Sequence, residues 1–165
     1  MFEVGDYVVH GSNGVCRVDE IGLVNIDGIS RNRKYYFMTP LNSKGCRLYT
    51  PVDNEEKNLR PVISKEEVYR LIRDIGTIEV IFVRDEKHRE NAYREIMNKF
   101  DCENLMKIIK TIHFRKTIRV KEGKKLLISD LKYLKLAEEY LFGEIAVSLG
   151  IKKEEAEELI YKNLI

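Results

Sequence analysis

The stretch Pro61-Val62-Ile63-Ser64-Lys65-Glu66-Glu67-Val68-Tyr69-Arg70-Leu71-Ile72-Arg73-Asp74-Ile75-Gly76 decides the fold, because the apolar spacing changes there from two to between three and four. Ser64 stands three residues before Glu67, the spacing of a capping box in which the serine hydroxyl accepts the Glu67 amide. Val68, Leu71, Ile72 and Ile75 then form one helical stripe, and Gly76 is a suitable stop. A sheet domain is therefore expected over residues 1–62 and a helical domain over residues 63–165.

Upstream of this switch, β-branched and aromatic runs alternate with turn residues. Val4, Tyr7-Val8-Val9, Val15, Arg17-Val18, Ile21 and Leu23-Val24 are punctuated by Gly5-Asp6, Gly11-Ser12-Asn13-Gly14 and Asn25-Ile26-Asp27-Gly28. Asp27-Gly28 predicts a hairpin between Ile21–Ile26 and Arg33–Met38, with a longer loop through Ser30-Arg31-Asn32. Cys46–Pro51 supplies a further strand. Four or five short strands without a parallel βαβ unit describe a small, strongly bent Tudor- or SH3-like sheet. Tyr35, Tyr36 and Phe37 occupy consecutive strand positions, so they cannot share one face. At least one of them, or Tyr49 in the next strand, points outward, as a cross-strand pair or as an anchor for a partner.

Downstream, Thr77–Val83 reads as a short extended run. A helix near Asp85–Phe100 turns Ala92, Tyr93, Ile96, Met97 and Phe100 inward. Asp101 is the expected N-cap of a helix carrying Leu105, Ile108, Ile109 and Ile112. Ser129 opens a long helix with Leu131, Leu134, Ala137, Leu141, Ile145 and Leu149 inward, ended by Gly150, and a last helix from Lys153 packs Ala156, Leu159 and Ile160. The fold class is α+β: a small Tudor/SH3-like sheet domain followed by an all-α bundle of four or five helices.

The 165 residues carry 29 basic and 27 acidic side chains, so net charge gives no global signal for nucleic acid. Residues 1–63 hold eight of each sign. Within the bundle, however, Lys107, Lys110, Arg115, Lys116, Arg119, Lys121, Lys124 and Lys125 are opposed by Glu122 alone. Such a segment either tracks phosphates or forms an ordinary solvated face. Lys107 and Lys110 fall opposite the apolar stripe, which directs them to solvent. Arg84, Lys87, His88 and Arg89 form a second basic group beside Phe82, which is either a packing residue at the joint between the domains or an exposed apolar wedge.

Catalysis finds little support. His10, His88 and His113 lack ligand partners at metal spacing, and His10 reads as a partly buried strand residue with a satisfied ring. Cys16, Cys46 and Cys102 are odd in number and far apart, which argues against a disulfide framework. No phosphate-cradling glycine loop or nucleophile elbow occurs. No cofactor, metal or small-molecule substrate is expected. The apolar runs are too short to span a bilayer, and the N-terminal residues lack the features of a secretory signal, so a cytoplasmic protein is expected.

The pattern Phe2-x-x-Gly5-Asp6-x-Val8-Val9-His10-x-x-x-Gly14-x-x-x-Val18, with Leu48-Tyr49-x-Pro51, resembles the RNA-polymerase-interacting domain that the CarD/CdnL family shares with transcription-repair coupling factors. Arg89 with Glu95, Asp101, Arg115, the Leu134, Ala137 and Leu141 series, and Gly143-Glu144-Ile145-Ala146 are similar to that family's helical C-terminal domain. The resemblance implies a bacterial transcription regulator without enzymatic activity. Its sheet domain would bind the polymerase β subunit, and its helical domain would contact promoter DNA weakly, largely without reading sequence, to modulate open-complex stability. It also implies polymerase contacts at Val24, Arg47, Leu48 and Tyr49; Val24 and Tyr49 occupy the positions of the family's contact arginines. Family members commonly insert a tryptophan at the minor groove; this chain has none, and Glu86 occupies the matching position. Phe82 is then the nearest aromatic able to act as a wedge, with Arg84, Lys87, His88, Arg89, Lys107, Lys110, Arg115 and Lys116 as DNA contacts. Arg115 matches a basic residue of the family's DNA surface. A KOW- or Tudor-like module that binds RNA or the ribosome would share the sheet, but would carry its basic residues on the N-terminal strands and loops.

Overall fold

The computed structural model describes residues 1–29 and 32–164. The chain divides into two compact units, Met1–Val62 and Ile63–Ile165. Ser30 and Arg31, part of the expected hairpin loop, lie outside the described residues.

The first unit is an antiparallel sheet of β1 (Tyr7–His10), β2 (Gly14–Leu23), β3 (Lys34–Pro40), β4 (Leu48–Pro51) and β5 (Leu59–Pro61), in the order β4-β3-β2-β1-β5. Gly14 opens β2 with φ of 71°, a left-handed value that a side chain would disfavour, and this lets the chain reverse after the turn Gly11–Asn13. β2 is one long strand with a register shift between Val18 and Glu20. The extra residue re-phases the alternation, so Val18 and Ile21, an odd number of positions apart, both reach the same apolar face. Val8, Cys16, Val18, Tyr36, Met38 and Leu59 form that face.

Tyr35 and Phe37 are also buried, against Val24 on the opposite side of the sheet. The aromatic run is therefore covered on both faces, and the outward aromatic is Tyr49. It pairs across strands with Phe37, the ring centroids 5.2 Å apart in an edge-on arrangement. The strand expected from Cys46 begins only at Leu48. A short helix, α1 (Glu55–Asn58), precedes β5.

The second unit holds α2 (Lys65–Arg73), α3 (Glu86–Met97), α4 (Cys102–Lys121), α5 (Ile128–Leu149) and α6 (Lys153–Asn163). Ser64 and Glu67 form both halves of the capping box, and Asp101 caps α4 by accepting the Asn104 amide. Gly150 ends α5 with φ of 67°, the left-handed conformation that glycine adopts without strain. α2 stops at Arg73, before Gly76, and a 3-10 turn over Ile75–Thr77 carries the chain onward. α4 continues through Lys121, so Arg115, Lys116 and Arg119 are helical.

Ile108, Ile109, Ile112, Ala137, Leu141, Ile145, Ala156 and Ile160 are all fully buried in this unit. Leu131, expected inward, is exposed; Asp130 and Tyr133 take the inward positions of that turn. Glu144, in the Gly-Glu-Ile-Ala element, is buried and accepts the Ile63 amide at 2.9 Å, which fixes the start of the unit. No helix among the described residues is long and apolar enough to cross a membrane.

Candidate interaction surfaces

β4 lies at one edge of the sheet with only β3 beside it, so its outer backbone groups are unpaired within the sheet. Tyr49 is 38% exposed there. Arg47 is exposed just ahead of it, its guanidinium carbon 4.9 Å from the Phe37 ring centroid and its Nη2 3.2 Å from Glu20 Oε2. The arginine thus stacks on the aromatic pair and is held by a carboxylate. Leu48 is half-buried against the sheet core. Val24, expected as a polymerase contact, is instead 3% exposed: it follows the interior strand β2 and packs on Tyr35 and Phe37. Its role is to support the aromatic ledge from beneath.

In the helical unit, Phe82 is 84% exposed. Ile78 is buried and Ile81 half-buried, whereas Val80 and Phe82 face solvent. Its backbone is fixed to α4, because Thr111 Oγ1 accepts the Ile81 amide at 2.8 Å and donates to the Lys107 carbonyl at 2.7 Å. Beyond Phe82, Arg84, Lys87 and His88 are exposed. Asp85 caps α3 by accepting the Lys87 amide, and its carboxylate lies 3.5 Å from the His88 ring.

The remaining expected DNA contacts divide sharply. Lys116 is exposed on α4. Lys107 and Lys110 are half-buried rather than directed fully to solvent. The Lys110 ammonium donates to the carbonyls of Ile75, Gly76 and Ile78 at 2.8, 3.0 and 2.6 Å. It adds a charged donor to carbonyls of the Ile75–Thr77 turn and of the residue that follows it, the Ile75 carbonyl also accepting the Ile78 amide. Arg89, expected on the surface, is 7% exposed; its Nε meets Glu86 and its Nη2 donates to the Val83 carbonyl, each at 3.1 Å.

Arg115 is likewise turned inward. Its guanidinium donates to Asp130 Oδ2 at 3.1 Å and to Glu86 Oε1 at 3.3 Å. Asp130 is 0% exposed and also accepts the Tyr93 hydroxyl at 2.8 Å. Burial pulls the Arg115 pKa down, but the Asp130 and Glu86 carboxylates outweigh it and the net direction is upward. Burial, reinforced by the bond to Asp130, keeps the Tyr93 phenol protonated far above its ordinary range. The sequence signal for this network is the spacing of Asp130, Tyr133 and Ala137, which puts a carboxylate on the inward face of α5.

His10 is held as a satisfied ring: Asn13 Nδ2 lies 2.9 Å from its Nδ1, and burial lowers its pKa. Burial pushes the Cys16 thiol up to about 12, so it stays protonated and unreactive. Among the described residues, no group of three His, Cys, Asp or Glu side chains is arranged to hold a metal ion.

Two family models match the chain, the CarD-like/TRCF RID domain over residues 2–63 and the CarD C-terminal domain over residues 77–161. No curated protein matches it.

Proposed function

Because the chain belongs to the CarD family of RNA-polymerase-interacting transcription regulators, we propose that its sheet unit binds the polymerase β subunit and its helical unit contacts promoter DNA to modulate the lifetime of the open complex. On the polymerase side, the unpaired edge of β4 suits extension of a partner's sheet by backbone hydrogen bonds, and Tyr49 with Arg47 supplies an aromatic and cationic anchor. Val24 is not part of that contact surface.

The DNA side is carried by one observation: Phe82, 84% exposed, precedes the exposed cations Arg84, Lys87 and His88. An apolar ring flanked by cations suits insertion at an unstacked base step while phosphates are held on either side. Lys116 extends the basic surface. Lys110, Arg89 and Arg115 support the architecture beneath it.

Open-complex dissociation, followed after a competitor challenge with saturating protein, tests the proposal. The wild-type chain should bind core polymerase and slow the dissociation of the open complex. Phe82→Ala should bind polymerase equally well but lose that change. Failure of the full chain to bind core polymerase would overturn the partner, and an unaltered lifetime with Phe82→Ala would overturn the wedge.

A further inference from the structure

Glu86 stands where the family's tryptophan is expected, yet its carboxylate is turned to two arginines of its own unit. It receives Arg89 Nε at 3.1 Å and Arg115 Nη2 at 3.3 Å. Arg89 in turn holds the Val83 carbonyl, one residue beyond Phe82, and Arg115 reaches Asp130 in the interior of the bundle. A continuous chain of charge-assisted hydrogen bonds therefore runs from a fully buried carboxylate on α5, through α4, to the start of α3 and the backbone beside the exposed ring. The Ile81 amide on Thr111 pins the other side of Phe82. An exposed aromatic on a loose segment would lose rotational and backbone freedom on entering DNA; one fixed on both sides has less to lose.

We propose that Glu86 and Arg115 are positioning residues, which form an ion-pair bridge from Asp130 to the Val83–Arg89 segment and so hold Phe82 in its presenting geometry. The proposal rests on the wedge role given to Phe82 above. It separates Arg115 from the phosphate contacts: its fork of donors is closed onto two carboxylates, and lysine, a point charge, could replace it on a phosphate but not in the bridge.

Glu86 gives the cleaner variant because it is about half exposed, and its removal leaves Asp130 with Arg115 and Tyr93 and leaves Arg89 on the Val83 carbonyl. Open-complex lifetime with the full chain and polymerase is compared for wild type, Glu86→Ala, Phe82→Ala and the double variant, with amide hydrogen exchange of residues 81–88 in each free chain. Arg115→Lys is run as the conservative control. The bridge predicts that Glu86→Ala shortens the lifetime about twofold to fivefold, speeds exchange over 81–88, and adds nothing once Phe82 is already alanine. Arg115→Lys should follow Glu86→Ala rather than wild type.

A surface acid near the duplex would behave in the opposite sense, since its removal relieves repulsion of phosphates and lengthens the lifetime. That result, or unchanged exchange, or additive effects in the double variant, would overturn the positioning role while leaving Phe82 as the wedge. If Phe82→Ala itself left the lifetime unchanged, the wedge would fall and the positioning role with it, so the two failures are told apart.

Discussion

Phe82 and Asp130 mark opposite extremes at the scale of single residues. The Phe82 ring packs against little, so Phe82→Ala should change unfolding free energy by no more than about 0.5 kcal/mol. A ring buried at a joint would cost about 3–5 kcal/mol on truncation, and denaturant unfolding separates the two outcomes. Asp130 receives Arg115 and the Tyr93 hydroxyl with no exposure of its own. Asp130→Ala leaves a largely buried guanidinium without its inner partner and should cost about 3–5 kcal/mol in the same measurement. Tyr49→Ala removes an exposed anchor, and is expected to weaken polymerase binding by about 1–2 kcal/mol with unfolding little changed; titration of full-length protein against core polymerase checks it.

At the scale of elements, what was legible in the sequence follows from local chemistry. The Ser64 capping box, the Asp101 cap, the Gly150 stop and the strand-to-helix switch after Pro61 are each decided by a few neighbouring residues. The facing of polar side chains was less legible, because it depends on partners distant in sequence. Lys110 lies opposite the apolar stripe of α4, but the carbonyls of the Ile75–Thr77 turn draw its ammonium back onto the protein. Arg115 belongs to a basic run by sequence and to a buried carboxylate by structure. Val24 was separated from the β4 edge by strand order, which hairpin signals alone do not reveal.

The α5–α6 packing gives a pH dependence. Tyr161 on α6 donates to Glu138 on α5 at 2.6 Å, and burial, then that bond, raises its pKa above the ordinary 10.0. The folded state therefore holds the phenolic proton more tightly than the unfolded chain. The stabilisation is complete below pH 10.0 and is lost as pH rises from there toward the higher folded value. Tyr161→Phe should flatten the alkaline decline of stability in denaturant titrations, and an identical decline would contradict this.

Charge sets the behaviour of the whole molecule. A formal charge of +2 provides little long-range attraction to a duplex. Several cations of the bundle are also internally engaged: Lys110 on carbonyls, Arg89 and Arg115 on carboxylates, and Arg119 on the Lys125 carbonyl. The candidate phosphate contacts that stay exposed are Arg84, Lys87, His88 and Lys116. Free protein should accordingly bind promoter DNA weakly, and binding should tighten strongly when polymerase holds the sheet unit, because the second contact then forms at high effective concentration. Each phosphate contact contributes through counterion release, so the slope of log affinity against log salt counts the cations that reach the DNA. Arg84→Ala, Lys87→Ala and Lys116→Ala should each reduce the magnitude of that slope by about one, with similar losses on unrelated promoter sequences. Lys110→Ala should leave the slope unchanged and lower stability instead, since its ammonium is already bound to three carbonyls. Affinities of the polymerase-bound protein measured between about 50 and 200 mM salt make the comparison. A slope that fell with Lys110 and not with Arg84 or Lys87 would place the nucleic acid on a different face of the bundle.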